Sequence, residues 1–261
     1  MPKAAHFDLT GQKALVVGAE TPVGGAIARA YAEAGADVAL AVLNADESVM
    51  KARRVKADIE AMGRQAAEYV MDVTLGKNVQ VTTRQIAKEL GGLNLVASAP
   101  DLFLAKPIAR ISDTELARVI AVNFSSQFFI AKHAFAELTK NEDGGRITLI
   151  THVLGERGLP NTSAYSAAHG AVHNLVRALA QEFAPKGVMV NGISLGWMEW
   201  HHEDRLDPES EDASRATRFP IMKREGKAEE IGPLAVYLAG SGVGYVTGQI
   251  FTVDGGLTQH L

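Results

Sequence analysis

The sequence predicts an α/β fold, doubly wound, in which a parallel sheet is covered by helices on both faces. Three observations carry this. Six short, apolar, β-rich runs recur along the chain, long helix-patterned segments separate them, and the two alternate with few interruptions. Strands buried on both faces read as continuous apolar runs too short to be helices. Alternation in this order is the pattern of right-handed crossovers feeding one sheet.

In chain order, strands are expected at residues 14–17, 38–42, 93–97, 147–150, 188–193 and 250–253. The helix-patterned segments between them are 23–34, 48–62, 77–90, 113–138, 164–183 and 227–239. Residues 199–218, rich in acidic residues and histidine, break the alternation and read as a lid-like insertion before the last helix. No internal repeat is visible. The 261 residues exceed the usual domain size, yet α/β units of this length are commonly one, so residues 1–261 read as a single domain.

Composition narrows the function classes. Hydrophobic residues make up 47% and charged residues 21%, the balance of a globular protein with a sizeable core. The formal charge of −4, with no basic block, argues against a nucleic-acid partner. The N-terminus lacks a signal-peptide pattern and no apolar run reaches the ~20 residues of a membrane span, so no membrane association and a cytoplasmic address are expected. The chain has no cysteine, which excludes disulfides, thiolate metal sites and cysteine nucleophiles.

The segment from Ala14 through Gly18, Ala19, Glu20, Thr21, Pro22, Val23 and Gly24 runs from strand through a turn into a helix. That is the setting in which a helix N-terminus receives a pyrophosphate. Here the chain resembles the short-chain dehydrogenase/reductase family, a Rossmann-type fold whose pattern TGxxxGxG falls on Val17, Gly18, Pro22 and Gly24. The resemblance extends from about Leu9 to Gly256 and is closest in the C-terminal run, from Glu229 through Tyr245 to Gly256, which in the family supports a tetramer interface. It implies cofactor contacts from Gly18, Thr21, Pro22, Gly24 and Asp72. Val17 and Pro22 depart from the pattern, and proline removes a backbone N–H where the family keeps bare backbone, so NAD(P) binding is expected to be weakened. A turn that only joins strand to helix is the plainer reading. The strand that should end on an acidic or basic ribose selector ends instead on Val42, Leu43 and Asn44, so the sequence does not choose between NAD and NADP. Asp72 falls where the family sets a carboxylate against adenine; as an alternative it caps the following helix. The family's NNAG is replaced by Ala97, Ser98, Ala99 and Pro100.

The family's active-site asparagine falls on Asn123, which can equally bond local backbone. Its YxxxK falls on Tyr165 and His169, one turn apart on a helix, so tyrosine is kept and lysine is not. A phenol with a reference pKa near 10 needs a neighbouring cation to ionise near neutrality, and histidine, with a reference pKa of about 6.5, supplies one only in part. The family serine falls on His152; Thr151 beside it should point the opposite way along a strand. His173 reads as part of a helix packing surface. Leu195 replaces the proline of the family's Pro-Gly turn, Gly196 is kept, and Trp197 and Trp200 are candidates for a pocket wall.

His152, Tyr165 and His169 thus form a phenol flanked by two imidazoles. They read as a working acid/base site, as an abandoned active site, or as a metal or non-redox lyase centre with Glu199; no ligand geometry marks a metal. The leading expectation is a catalytically degenerate subunit that assembles, as a homo- or hetero-tetramer, with an active homologous dehydrogenase and has no cofactor of its own. The rival is an active NAD(P)-dependent alcohol/carbonyl oxidoreductase on a small-molecule substrate, using Tyr165 with His152 and His169. A cofactor-free elimination or dehalogenase-like enzyme ranks last, because the Ser-Tyr-Arg set of such relatives is missing.

Overall fold

The computed structural model describes residues 5–203 and 219–259. Seven parallel strands form one sheet in the order β3-β2-β1-β4-β5-β6-β7. They are β1 (Lys13–Val17), β2 (Asp37–Val42), β3 (Ala66–Val70), β4 (Leu95–Ser98), β5 (Gly145–His152), β6 (Val188–Leu195) and β7 (Ile250–Val253). The doubly wound α/β reading is therefore correct. Among the described residues the helices are α1 (Pro22–Ala34), α2 (Glu47–Ala61), α3 (Gly76–Leu90), α4 (Asp113–Ile120), α5 (Ser126–Leu138), α6 (Ser163–Phe183), α7 (Trp200–Glu203) and α8 (Gly232–Ala239). None of the helices among the described residues is long and apolar enough to cross a membrane.

Strand alternation sorts the core into two layers. Ala14 and Val16 of β1 join Val38 and Leu40 of β2 beneath α1 and α8. Leu15 and Val17 join Ala39 and Ala41 on the opposite face, beneath α3, α5 and α6. Each Val or Leu so removed from water contributes about 1.5–3 kcal/mol and each Ala less, and this two-sided burial holds the strand ends in fixed register.

Three expectations are corrected. Strand β3 was missed because Ala66-Ala-Glu-Tyr-Val70 has no continuous apolar run; it is a half-buried edge strand. It is held by pairing with β2 and by Glu68, which meets Lys56 at 3.0 Å and Arg53 at 3.3 Å. The segment 113–138, read as one helix, is two, joined by a π-helical turn at Ala121–Ser125. The last helix starts later than expected: Ala228–Glu230 is a single 3-10 turn, and α8 begins at the Gly232-Pro233 pair. Of the expected lid, residues 204–218 lie outside the described residues.

Strand order reverses between β1 and β4, and chains leaving their carboxyl ends diverge to open a crevice, the position at which open α/β sheets bind ligands. Gly18 lies at this point with φ +79°, and a Cβ there would come within 2.7 Å of the Ala99 carbonyl. A side chain on either count would push the two strand ends apart.

Candidate active site

A cleft of about 340 Å³ opens at the carboxyl edge of the sheet, from Glu20 and Pro22 past Pro100 to Tyr165 and His169. Each wall has a local cause. Thr21 caps α1, its hydroxyl accepting from Gly24 N–H at 3.0 Å and donating to the Gly18 carbonyl at 2.8 Å. Pro22 is the first residue of α1, which costs the helix nothing because that N–H has no intrahelical partner. With Gly24 N–H taken by Thr21, Val23 N–H is the donor of that first turn left to face an anion. Gly155, just after β5, presses on α6: a Cβ there would lie 2.7 Å from the His169 carbonyl carbon. That close approach brings β5, with His152 at its end, against the helix bearing Tyr165 and His169.

The structure brings together the three predicted residues and adds two. Tyr165 donates to Asp101 Oδ1 at 2.9 Å, and His169 Nε2 is 3.6 Å from the same oxygen, an ion-pair distance. The Tyr165 and His169 rings are 4.3 Å apart, and His152 lies 5.5 Å from Tyr165 and 6.1 Å from His169. His201 of α7 is 5.3 Å from His152. Thr151 does point away from His152, yet it rejoins the group because α6 crosses the strand end, and its hydroxyl meets His169 Nδ1 at 3.1 Å. Asp101 and His201 were not anticipated. Asp101 was findable as the one titratable residue directly following β4 at the crevice; His201 carried no signal beyond the composition of its stretch.

Electrostatics distinguish the members. Burial alone would raise the Asp101 pKa, but the neighbouring His169 and His201 imidazoles and the Tyr165 hydroxyl outweigh it and hold the carboxyl well below its usual range. Burial pushes His152 well below the ordinary histidine value, reinforced by His201 and His169 and only partly offset by Asp101 and the Gly196 backbone. His152 is therefore neutral at neutral pH. Its Nδ1 accepts the Leu154 N–H at 3.1 Å, so the ring proton sits on Nε2. That nitrogen is shut off from solvent and meets no acceptor in good hydrogen-bond geometry, the Gly196 backbone being only a weak pull on it. A buried, unspent donor lies beside a phenol.

The other predicted positions divide. Asn123, in the π-turn, spends both amide atoms on Leu102: it accepts from Leu102 N–H at 2.8 Å and donates to Leu102 O at 2.9 Å. It thereby fixes the loop that carries Asp101. Asp72 accepts from the Thr74 N–H and hydroxyl at 2.9 and 2.6 Å, forming the turn ahead of α3, and is not among the residues lining the cleft. His173 is packed against α6's neighbours, 3.6 Å from Glu156, as a packing role requires. Among the described residues no group of three or more His, Cys, Asp or Glu is arranged to hold a metal ion.

These histidines predict an acid-sensitive fold. Burial, with His169 and Arg177, pushes His173 down to about 4. For a histidine lowered on folding, the unfolded chain binds the extra proton first, so stability is full above the unfolded value near 6.5 and falls as pH drops. The unfolding midpoint should decline steadily from pH 7 to pH 4, and His173→Gln should flatten part of that decline, as read by calorimetry across the range. A midpoint flat over this window would contradict the burial described for His152 and His173.

The turn, the crevice and the cleft suit a dinucleotide: bare backbone at Gly18, the Val23 N–H for pyrophosphate, and Tyr165 with His169 at the far end. Comparison with known proteins agrees. Residues 18–258 match the family model described as enoyl-(acyl carrier protein) reductase. The chain is 30% identical over 251 residues to the 3-oxoacyl-[acyl-carrier-protein] reductase FabG of Pseudomonas aeruginosa, covering 96% of this chain and 99% of that one. A dehydrogenase/reductase from Sinorhizobium meliloti 1021 superposes with a TM-score of 0.89 at 30% identity, covering 97% of both chains. A blue fluorescent protein from a metagenomic library, solved in complex with NADPH, superposes with a TM-score of 0.87 at 28% identity over 96% of this chain and 99% of that one. With its seven-stranded parallel sheet, glycine turn and Tyr165 helix, this chain belongs to the short-chain dehydrogenase/reductase family of oxidoreductases.

Proposed function

We propose that this chain is an active NAD(P)-dependent oxidoreductase that interconverts a ketone and a secondary alcohol, with Tyr165 moving the proton and His152 binding the substrate oxygen. The observation that carries this is the His152 tautomer: Leu154 N–H occupies Nδ1, leaving a buried Nε2–H without a partner. An unpaired buried donor costs about 1–3 kcal/mol, and a carbonyl oxygen placed there relieves it. An abandoned site gains nothing by retaining it. The relatives named as reductases, and the one solved with NADPH, support the cofactor class.

When bound, a nicotinamide dinucleotide supplies the hydride in reduction and accepts it in oxidation. The protein's part is the proton and the oxygen. His152 Nε2–H holds the carbonyl oxygen and polarises it. Tyr165 turns its hydroxyl from Asp101 to that oxygen and gives up the proton as negative charge develops there. The phenolate so formed stands beside the His169 ring, 4.3 Å away between ring centres, and is reprotonated from solvent through the cleft, while Asp101, anionic, keeps His169 oriented toward the pair. Thr151 on Nδ1 fixes the other side of the ring. His169 thus stands where relatives carry lysine, one helical turn from Tyr165.

The test is an assay of the homogeneous protein with 4-deuterated NADH or NADPH against a panel of ketones. Deuterium at the carbinol carbon of the product is the expected result; no transfer to any ketone would end this reading. The other reading, a silent subunit joined to an active homologue, is favoured by Pro22, which leaves the first turn of α1 one donor short. It requires the opposite result: no turnover alone, and turnover only when co-assembled with a homologous subunit.

A further inference from the structure

We propose that Glu20 reads the adenosine ribose in this chain and makes it select NAD(H) over NADP(H). The inference rests on the dinucleotide reading above and goes beyond it by naming the nucleotide and the residue. Folds of this kind usually read the ribose with a charged side chain at the end of the second strand, where this chain has Val42, Leu43 and Asn44. Glu20 reaches that place from another element. It leaves the turn after β1 and its Oε1 accepts the Leu43 N–H at 3.1 Å, laying the carboxylate across the end of β2.

Its second oxygen is the informative one. Oε2 is shut off from solvent and has no hydrogen-bond partner, in a side chain that lines the cleft. A buried carboxylate oxygen without a donor is a defect that a ribose hydroxyl repairs with a charge-assisted hydrogen bond. Burial pushes the Glu20 carboxyl up, against the pull of the Glu20 and Leu43 backbone, which is the balance expected of a carboxylate short of a donor. A 2′-phosphate meets the opposite situation, because it brings negative charge and no proton to give. Lys51 also lines the cleft, so the discrimination rests on the Glu20 carboxylate itself and not on a lack of cations nearby.

Calorimetric titration of the purified protein with NADH and NADPH, and with ADP-ribose and its 2′-phosphate, reads the selection without catalysis. NADH should bind at least tenfold tighter than NADPH, and ADP-ribose likewise over its 2′-phosphate. Glu20→Gln keeps the shape and the fold, checked by its melting curve, and should improve NADPH about tenfold while weakening NADH, bringing the ratio close to one; Glu20→Ala should do the same. Equal or tighter binding of NADPH by the unaltered protein, or a preference that survives both substitutions, overturns this inference and leaves the dinucleotide reading standing. Binding of neither nucleotide overturns both.

Discussion

Tyr165→Phe should lower kcat/KM by about 10³-fold, in the range general acid–base groups supply, while NADH binding stays within a few-fold of the unaltered protein. The separation of the two readouts follows from the geometry. Tyr165 is 1% exposed and its ring packs edge-on against Phe103 at 4.9 Å, contacts that phenylalanine keeps. The hydroxyl goes, and with it the bond to Asp101. Steady-state kinetics beside nucleotide titration of the same preparation checks this. Activity within tenfold of the unaltered protein would show that the proton moves through another group, and His152 would be the next to replace.

The second large effect is on the fold. Gly24→Ala should destabilise the protein by about 3 kcal/mol, the upper range for forcing a methyl into packed surroundings. For a chain of this length that lowers the unfolding midpoint by roughly 6–12 °C, and dinucleotide binding should be lost with it. A Cβ at Gly24 would run into the Gly18 carbonyl oxygen and lie 3.1 Å from Thr21 Oγ1, so the turn has to open at the point where the cofactor approaches. Gly25→Ala is the control. Its Cβ would meet Arg29 Nη1 and Val55 Cγ2 at 3.2 Å each and the Ala19 carbonyl oxygen at 3.5 Å, with no backbone atom as close as the Gly18 carbonyl is to Gly24. A differential scan of both variants decides; equal midpoints would mean that the turn yields more easily than its packing suggests.

The parts of the fold readable from sequence were those that burial on both faces makes apolar. Strands β1, β2 and β7 were placed nearly to the residue, whereas β3 went unread because an edge strand with Glu68 in its middle has no burial signature. The site divides on similar lines. Tyr165, His152 and His169 were legible through their positions along one strand and one helix. Asp101 and Glu20 were not singled out, since each acts through a meeting of two elements: Asp101 between the β4 loop and α6, Glu20 between the β1 turn and the end of β2. Asn123 was singled out by position along the chain, and the structure shows its amide bonded to both backbone groups of Leu102.

The π-turn at Ala121–Ser125 has a consequence for how this site tolerates change in chain length. A π-turn holds one more residue than an α-turn, and each α-helical residue advances the helix by about 100°. The extra residue therefore sets the phase of α5 against α4. Upstream of it the Ser112–Glu115 capping box fixes α4 at the surface. Within it Asn123 reaches the Leu102 backbone, and just beyond it Gln127 reaches the Ile150 carbonyl at 3.1 Å. A one-residue deletion here would leave a good helix and an intact core pattern, yet turn Asn123 off the Leu102 loop and Gln127 off the end of β5. The position of the carboxylate at Asp101 is thus encoded in a count of residues on a neighbouring helix, where substitutions alone would never reveal it.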